Sequence, residues 1–92
     1  MTADPVRRRV IVHGLVQGVW FRASVRDRAR AHGVTGWARN RPDGSVEVAL
    51  EGPPEAVERI VRFCAIGPPQ AAVDRIEVTD EAVERLMDFT IR

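Results

Sequence analysis

The chain has 92 residues, 45% of them hydrophobic and 29% charged, with a formal net charge of +1. This length supports one compact domain, because half of it could not bury enough apolar surface to offset the entropy lost on ordering. The nearly neutral charge gives no sign of a nucleic-acid partner, and a single cysteine with no Cys/His cluster at metal-ligand spacing excludes an internal disulfide and gives no support for a metal or cofactor.

Hydrophobic periodicity divides the chain into seven elements. Alternating apolar residues predict strands, whereas apolar residues three or four positions apart, as at Phe21, Val25 and Ala29, predict helices. Glycine and proline mark where the elements end. The predicted elements are a strand over 6–13 that ends at Gly14, a helix from 21 to a stop at 33, strands over 34–40 and 45–51, a helix from 53–54 to a stop at 67, and strands over 73–79 and 88–92.

The third strand predicts a sheet with one buried face and one wet face. Val46, Val48 and Leu50 point one way, and Glu47 and Glu51 point the other. The order β-α-β-β-α-β with a short terminal strand therefore predicts an α+β, ferredoxin-like fold. We expect a two-layer α/β sandwich with both helices on one face of an antiparallel sheet, forming one domain over residues 1–92 whose first five residues are flexible.

The segment between the first strand and the first helix predicts an anion site. It is a loop containing Gly14 and Gly18 that leads into a helix N-terminus, where free backbone N–H groups carry partial positive charge. No acidic residue lies between Gly14 and Arg22. The loop lacks the spacing of a P-loop or of a dinucleotide-binding fingerprint.

Arg22 is the residue best suited to hold an anion at this loop. It falls in the first helical turn, where its side chain leans back toward the loop and its planar guanidinium suits two phosphate oxygens. A cation there opposes the helix dipole, which makes stability a poor explanation for it. On spacing alone, a surface arginine beside an ordinary turn remains the alternative.

Asn40 ends the second predicted strand, just before the turn at Asp43 and Gly44. If that strand pairs beside the first strand, Asn40 approaches the loop. Its amide could then hold a water molecule while donating to a phosphate oxygen. From position alone, a simple turn residue remains the alternative.

Two segments together resemble the signature segments of the acylphosphatase family: Gly14-Leu15-Val16-Gln17-Gly18-Val19-Trp20-Phe21-Arg22 and Gly36-Trp37-Ala38-Arg39-Asn40-Arg41-Pro42-Asp43-Gly44-Ser45-Val46-Glu47. The resemblance extends over nearly the whole chain beyond the first five residues. It implies a hydrolase of small carboxyl phosphates in which Arg22 binds phosphate and Asn40 orients the attacking water. Ala38 departs from the family's usual larger β-branched residue, which affects packing but not the two site residues.

The implied chemistry needs little from the protein besides positioning and charge stabilisation. The leaving group is a carboxylate, already a stable anion at neutral pH, so no metal and no strong general acid is required. The final acceptor of the water's proton is left open. Main-chain amides would stabilise the phosphoryl oxygens together with Arg22, and the predicted phosphate-binding loop comprises Leu15, Val16, Gln17, Gly18, Val19, Trp20 and Phe21.

Other reactive or aromatic residues are interpreted as structural. His13 is expected on the wet face, His32 at the helix end and Cys64 in the core. Trp20 and Trp37 could stack on a substrate, but packing is the simpler interpretation. The run Arg7-Arg8-Arg9 is interpreted as solvated surface.

Two other functions compete with hydrolysis. The same fold serves RNA recognition, but the first and third strands lack paired aromatics and Glu47 and Glu51 would repel phosphate. A phosphate or acyl phosphate sensor without turnover stays open. The apolar runs are too short to cross a membrane and no signal-peptide apolar region is present, so we expect a cytoplasmic monomer for which inorganic phosphate or sulfate competes with the substrate.

Overall fold

The computed structural model describes residues 4–92, and the flexibility expected for the first five residues falls partly on residues 1–3, outside that range. The elements form the expected order over the described chain. They are β1 (Val6–Leu15), α1 (Phe21–Ala31), β2 (Thr35–Asn40), β3 (Val46–Gly52), α2 (Pro54–Ile66), β4 (Ala72–Glu81) and β5 (Phe89–Ile91).

The strands form one five-stranded sheet in the order β4-β1-β3-β2-β5. The first four strands are antiparallel to their neighbours, whereas β5 runs parallel to β2, so the sheet is mixed rather than purely antiparallel. The condition under which Asn40 was thought to approach the loop, pairing of β2 beside β1, is not met, because β3 lies between them. The hairpin signal at Asp43 and Gly44 is local and correct, but it does not specify which strand lies on the far side of β3.

The hydrophobic core lies between one face of the sheet and both helices. Val10 and Val12 of β1 alternate inward with the corresponding residues of β3, and each helix places its apolar stripe on them. The two-layer, ferredoxin-like arrangement is therefore confirmed. Fully or nearly fully buried helical residues are Phe21, Val25 and Ala29 of α1 and Val57, Ile60, Val61 and Cys64 of α2.

Strand β1 continues past its predicted end. Gly14 and Leu15 still pair with β4, after a register shift between His13 and Gly14. Gly14 has a φ of 129°, and a side chain there would collide with the carbonyl oxygen of Ala72. Glycine is therefore required here for close strand approach and does not end the strand.

The second sheet face is partly covered, which corrects the expectation of wet carboxylates on β3. Glu51 is only 3% exposed and Arg7 only 6% exposed. The guanidinium of Arg7 pairs with Glu51 at 3.2 Å, while the main-chain amides of Glu84 and Leu86 donate to the Glu51 carboxylate at 2.5 and 2.8 Å. The segment after β4 thus folds back over this face, and Arg7 is not solvated surface.

Glu47 is buried for the same reason. Its carboxylate accepts from Arg9 at 3.2 Å and from Arg39 at 2.5 Å. The two carboxylates of β3 are therefore buried in ion pairs, whereas the sequence suggested exposed carboxylates.

The edge strand β4 packs less apolar surface than expected. Ile76 packs against the core, and Val78, paired with buried Val10, lies on the same face but is 43% exposed at the sheet edge. In α2, Glu58 and Arg62, one helical turn apart, form an ion pair at 3.5 Å. Helix α1 ends as predicted, with Gly33 in the left-handed region at a φ of 69°.

Candidate active site

The loop between β1 and α1 presents free main-chain donors to solvent. Within residues 4–92, the amides of residues 17–20 donate to no main-chain acceptor. Gly18 adopts a φ of 74°, and an added Cβ there would find nothing within 4 Å. Open space therefore faces a backbone that curls into a helix N-terminus, an arrangement suited to an anion.

Arg22 is the second residue of α1, beside this loop. Its Nη1 donates to the main-chain oxygen of Arg92 at 3.3 Å. No acidic partner of Arg22 lies within 4.0 Å in the described chain, whereas Arg26, one helical turn later, pairs with Asp27 at 3.1 Å. Arg22 thus keeps most of its donors available beside the open amides.

Asn40 reaches the same region although β3 separates β2 from β1. In register, Asn40 pairs with Val46, which in turn pairs with Val12 of β1. Alternation places Asn40 on the face of buried Ala38, which is the helix-bearing face. The amide therefore lies on the side of the sheet that carries α1 and Arg22.

Gln17 links the loop to the β2–β3 hairpin. Its Nε2 donates to the carbonyl oxygens of Arg41 and Ser45 at 2.8 and 2.9 Å. These bonds hold the loop beside the strand end that carries Asn40. From the sequence, Gln17 was expected to act in the loop only through its main-chain amide. No local pattern indicates this long-range side-chain contact.

The hairpin turn is fixed by Asp43, whose carboxylate accepts from the Ser45 hydroxyl at 2.5 Å and from the Ser45 amide at 2.9 Å. These bonds, the hydroxyl bond first, lower the pKa of Asp43 below its ordinary value. The charged aspartate is thus favoured in the folded turn. The turn that follows Asn40 is ordered by its own side chains and by Gln17.

Loop, arginine and asparagine enclose one cavity of about 480 Å³. No acidic side chain lines it. Of the predicted site residues, those that line it are Val16, Gly18, Trp20, Phe21, Arg22 and Asn40. The other three predicted loop residues do not: Leu15 belongs to β1, Gln17 bonds the hairpin, and Val19 packs against the core.

Three lining residues were not predicted: Ala23, Arg26 and Ile91. Helical spacing from Arg22 could have indicated Arg26, which lies four positions later. Nothing local could have indicated Ile91, because β5 reaches the site only through its parallel pairing with β2. The terminal residue is held there by stacking of the Arg92 guanidinium on Trp37, 4.6 Å from the ring centroid.

The two histidines and the cysteine lie outside this cavity. His13 bonds Glu77 on the second sheet face at 2.7 Å, and His32 ends α1 with its amide bonded to helical carbonyls. Burial raises the pKa of Cys64 to about 12, so it stays a neutral core thiol. Trp37 is buried as expected, but Trp20 is 74% exposed, so packing does not explain it.

A metal-binding cluster of three or more His, Cys, Asp or Glu is not found among residues 4–92. In that same range, no helix has the length and apolar character needed to cross a membrane.

The fold and the cavity together define a ferredoxin-like domain with a cavity lined by a strand-to-helix loop, two arginines and an asparagine. Residues 8–91 match the acylphosphatase family model. The chain is 49% identical over 89 residues to an acylphosphatase of Gloeobacter violaceus, covering 97% of this chain and 96% of that protein. It belongs to the acylphosphatase family.

Solved structures agree with this assignment. The crystal structure of an acylphosphatase from Bacillus subtilis superposes with a TM-score of 0.91 at 39% identity, covering 95% of this chain and 98% of that one. The structure of an acylphosphatase from Coxiella burnetii superposes with a TM-score of 0.92 at 37% identity, covering 97% and 94%. The similarity therefore extends over nearly the whole chain.

Proposed function

We propose that Arg22 and the loop amides bind the phosphoryl group of an acyl phosphate while Asn40 orients the attacking water. Membership in the acylphosphatase family makes the protein a hydrolase acting on the carboxyl-phosphate bond. The observation that carries the residue assignment is the single cavity lined by Gly18, Arg22 and Asn40 without any acidic side chain.

The reaction exchanges one bond to phosphorus for another. Water oxygen attacks phosphorus, the bond from phosphorus to the carboxyl oxygen breaks, and its electron pair leaves on the carboxylate. The products are a carboxylate, inorganic phosphate and a proton. Because the leaving group is stable as an anion, the cavity needs donors for the phosphoryl oxygens rather than a general acid or a metal.

Arg22 supplies positioning as well as charge. Its guanidinium can meet two phosphoryl oxygens in a fixed fork, and the free amides of residues 17–20 can meet the third. The bond from Arg22 to the Arg92 oxygen holds the guanidinium near the cavity. Asn40 presents a neutral amide, which can bind water and a phosphoryl oxygen without repelling the phosphoryl group.

The test is release of phosphate from benzoyl phosphate in the presence of a chelator. Arg22→Ala and Asn40→Ala are each expected to lower kcat/KM by about a hundredfold or more, as loss of one preorganised donor does elsewhere. Arg22→Lys is expected to remain impaired because an ammonium cannot reproduce the fork. Controls are Arg59→Ala and Gln70→Ala, both exposed and outside the cavity.

Binding of inorganic phosphate separates a catalyst from a sensor. We expect phosphate and sulfate to compete with substrate, with affinity lost in Arg22→Ala and kept in Asn40→Ala. Phosphate binding without turnover in any form would favour the sensor. Full activity in Arg22→Lys or in Asn40→Ala would reject the role assigned to that residue.

We further propose that the protein works as a cytoplasmic monomer with no nucleic-acid partner. All residues that line the cavity come from one chain, so a second copy is not needed to complete it. The free thiol of Cys64 suits a reducing compartment. Size-exclusion chromatography with light scattering tests the oligomeric state directly.

A further inference from the structure

Trp20 combines two features that do not serve stability. Its side chain is 74% exposed, and its backbone lies in the left-handed region with φ 66° and ψ 19°. Residues other than glycine and asparagine seldom adopt that conformation, and an exposed indole gains little from burial. Trp37, by contrast, is 8% exposed and stacks with Arg92. Trp20 therefore calls for an explanation outside the folded core.

The cavity beside Trp20 has an apolar part as well as an anion-binding part. Trp20, Ala23 and Ile91 line it together with Arg22 and Asn40. Ile91 is 37% exposed and Trp20 more so, which places both where the cavity opens to solvent. A volume of about 480 Å³ exceeds what one phosphate group fills and lies within the range of small-molecule pockets.

The second cation of the cavity already has one acidic partner. Arg26 lines the same cavity, but its Nε already donates to the carboxylate of Asp27 at 3.1 Å. A substrate whose acyl part carried another carboxylate or phosphate would have to compete with this pair. Because that exposed pair uses only one Arg26 donor, the preference rests on the apolar side chains of Trp20, Ala23 and Ile91, which suit an acyl group with apolar surface.

We propose that Trp20 and Ile91 form an acyl subsite that makes the enzyme prefer acyl phosphates with an aromatic or planar apolar acyl group. This proposal rests on the proposed function, since it assumes that the phosphoryl group lies against Arg22 and the loop. The acyl group then projects toward the cavity mouth, where its face meets the indole of Trp20. Acetyl phosphate is too short to use this contact.

The kinetic test compares benzoyl phosphate with acetyl phosphate. Because the Trp20 amide belongs to the phosphate loop, the quantity to follow is the ratio of the two kcat/KM values, in which any common loss cancels. In Trp20→Ala this ratio should fall about three- to tenfold, which corresponds to the loss of the binding free energy of one aromatic contact. Trp20→Phe should keep most of the ratio, and Met87→Ala, 94% exposed and outside the cavity, should leave it unchanged.

A binding test without turnover uses tryptophan fluorescence. Phenylphosphonate should quench or blue-shift the emission of exposed Trp20, whereas methylphosphonate should not. Trp20→Phe retains only buried Trp37 and should show neither change. A ratio unaltered in Trp20→Ala, or equal responses to both phosphonates, would overturn the acyl subsite. Failure of the wild type to hydrolyse either substrate would instead reject the proposed function. The fluorescence responses to the two phosphonates would still test the acyl subsite in that case.

Discussion

Gly18 connects one backbone angle to the chemistry of the site. Its φ of 74° turns the loop at this residue, and nothing within 4 Å would obstruct a methyl group. An alanine there meets conformational strain but no collision. Any loss of stability on substitution therefore arises from strain in the backbone. The backbone is also the part of the loop that we propose binds phosphate.

Gly18→Ala is expected to lower kcat/KM about 10- to 100-fold while lowering the free energy of unfolding by only about 1–2 kcal/mol. Relaxation of the strain would move the amides away from the phosphoryl oxygens. Gly33→Ala is the matched control, because Gly33 also has a positive φ of 69° and open space but lies at the opposite end of α1. Similar destabilisation with similar activity in the two variants would contradict the phosphate role of the loop.

The position of Asn40 shows what single-residue reasoning can and cannot reach. Its membership in the site was expected from the loop and the family resemblance, and its side chain does line the cavity with Arg22. The route considered for it, direct pairing of β2 with β1, does not occur. Alternation along β2 was the sounder clue, because it places Asn40 on the face of Ala38, toward the helices.

Gln17 sets the distance between two elements that are remote in sequence. Its side chain bonds two carbonyl oxygens of the β2–β3 hairpin, 24 and 28 residues away. Asp43 and Ser45 order the turn internally, but only Gln17 joins the turn to the loop among the side-chain bonds of the described residues. The geometry between the loop amides and Asn40 thus depends on one amide side chain.

Gln17→Ala should therefore impair turnover more than folding. Loss of two part-buried hydrogen bonds is expected to cost about 1–2 kcal/mol of unfolding free energy. Displacement of the loop from Asn40 should lower kcat/KM for benzoyl phosphate about tenfold. Gln70→Ala removes an exposed amide outside the cavity and serves as the control. Destabilisation with unchanged kcat/KM would assign Gln17 to folding alone.

Element boundaries were predictable where the signal is local, and neighbour relations were not. Helix α1 follows from Phe21, Val25 and Ala29 and ends before Gly33, because spacing and backbone preference lie within the segment itself. The parallel pairing of β5 with β2 brings Ile91 to the cavity from the far end of the chain. Such pairing depends on how the whole sheet assembles.

At the scale of the whole molecule, the second sheet face explains why alternation misled the assignment of Glu51. A strand with carboxylates on one face looks solvated, yet here arginines and a returning segment bury them. Burial by itself would raise the pKa of Glu51, but donation from the amides of Glu84 and Leu86 and from Arg7 outweighs it, so the pKa is lowered. The charged form therefore stabilises the fold.

Glu51→Gln is expected to lower the free energy of unfolding at pH 7 by about 3 kcal/mol, because Arg7 loses its buried counter-charge. A depressed folded pKa means that the contribution of Glu51 is complete above the usual glutamate value of about 4.3 and is lost as pH falls through the folded pKa. Urea unfolding at pH 7 and at steps down to pH 3 would measure both effects. The difference in free energy of unfolding between the wild type and Glu51→Gln should become smaller as the pH falls.

Asp74→Asn provides the comparison, since Asp74 is exposed and has no ion pair within the described chain. It should change stability at pH 7 by less than about 0.5 kcal/mol. A gap between wild type and Glu51→Gln that stays constant from pH 7 to pH 3 would show that Glu51 acts through packing rather than charge. Because this face is remote from the cavity, Glu51→Gln should keep the wild-type kcat/KM for benzoyl phosphate under conditions where it is folded. Glu51 would then affect the stability of the fold without affecting the chemistry of the cavity.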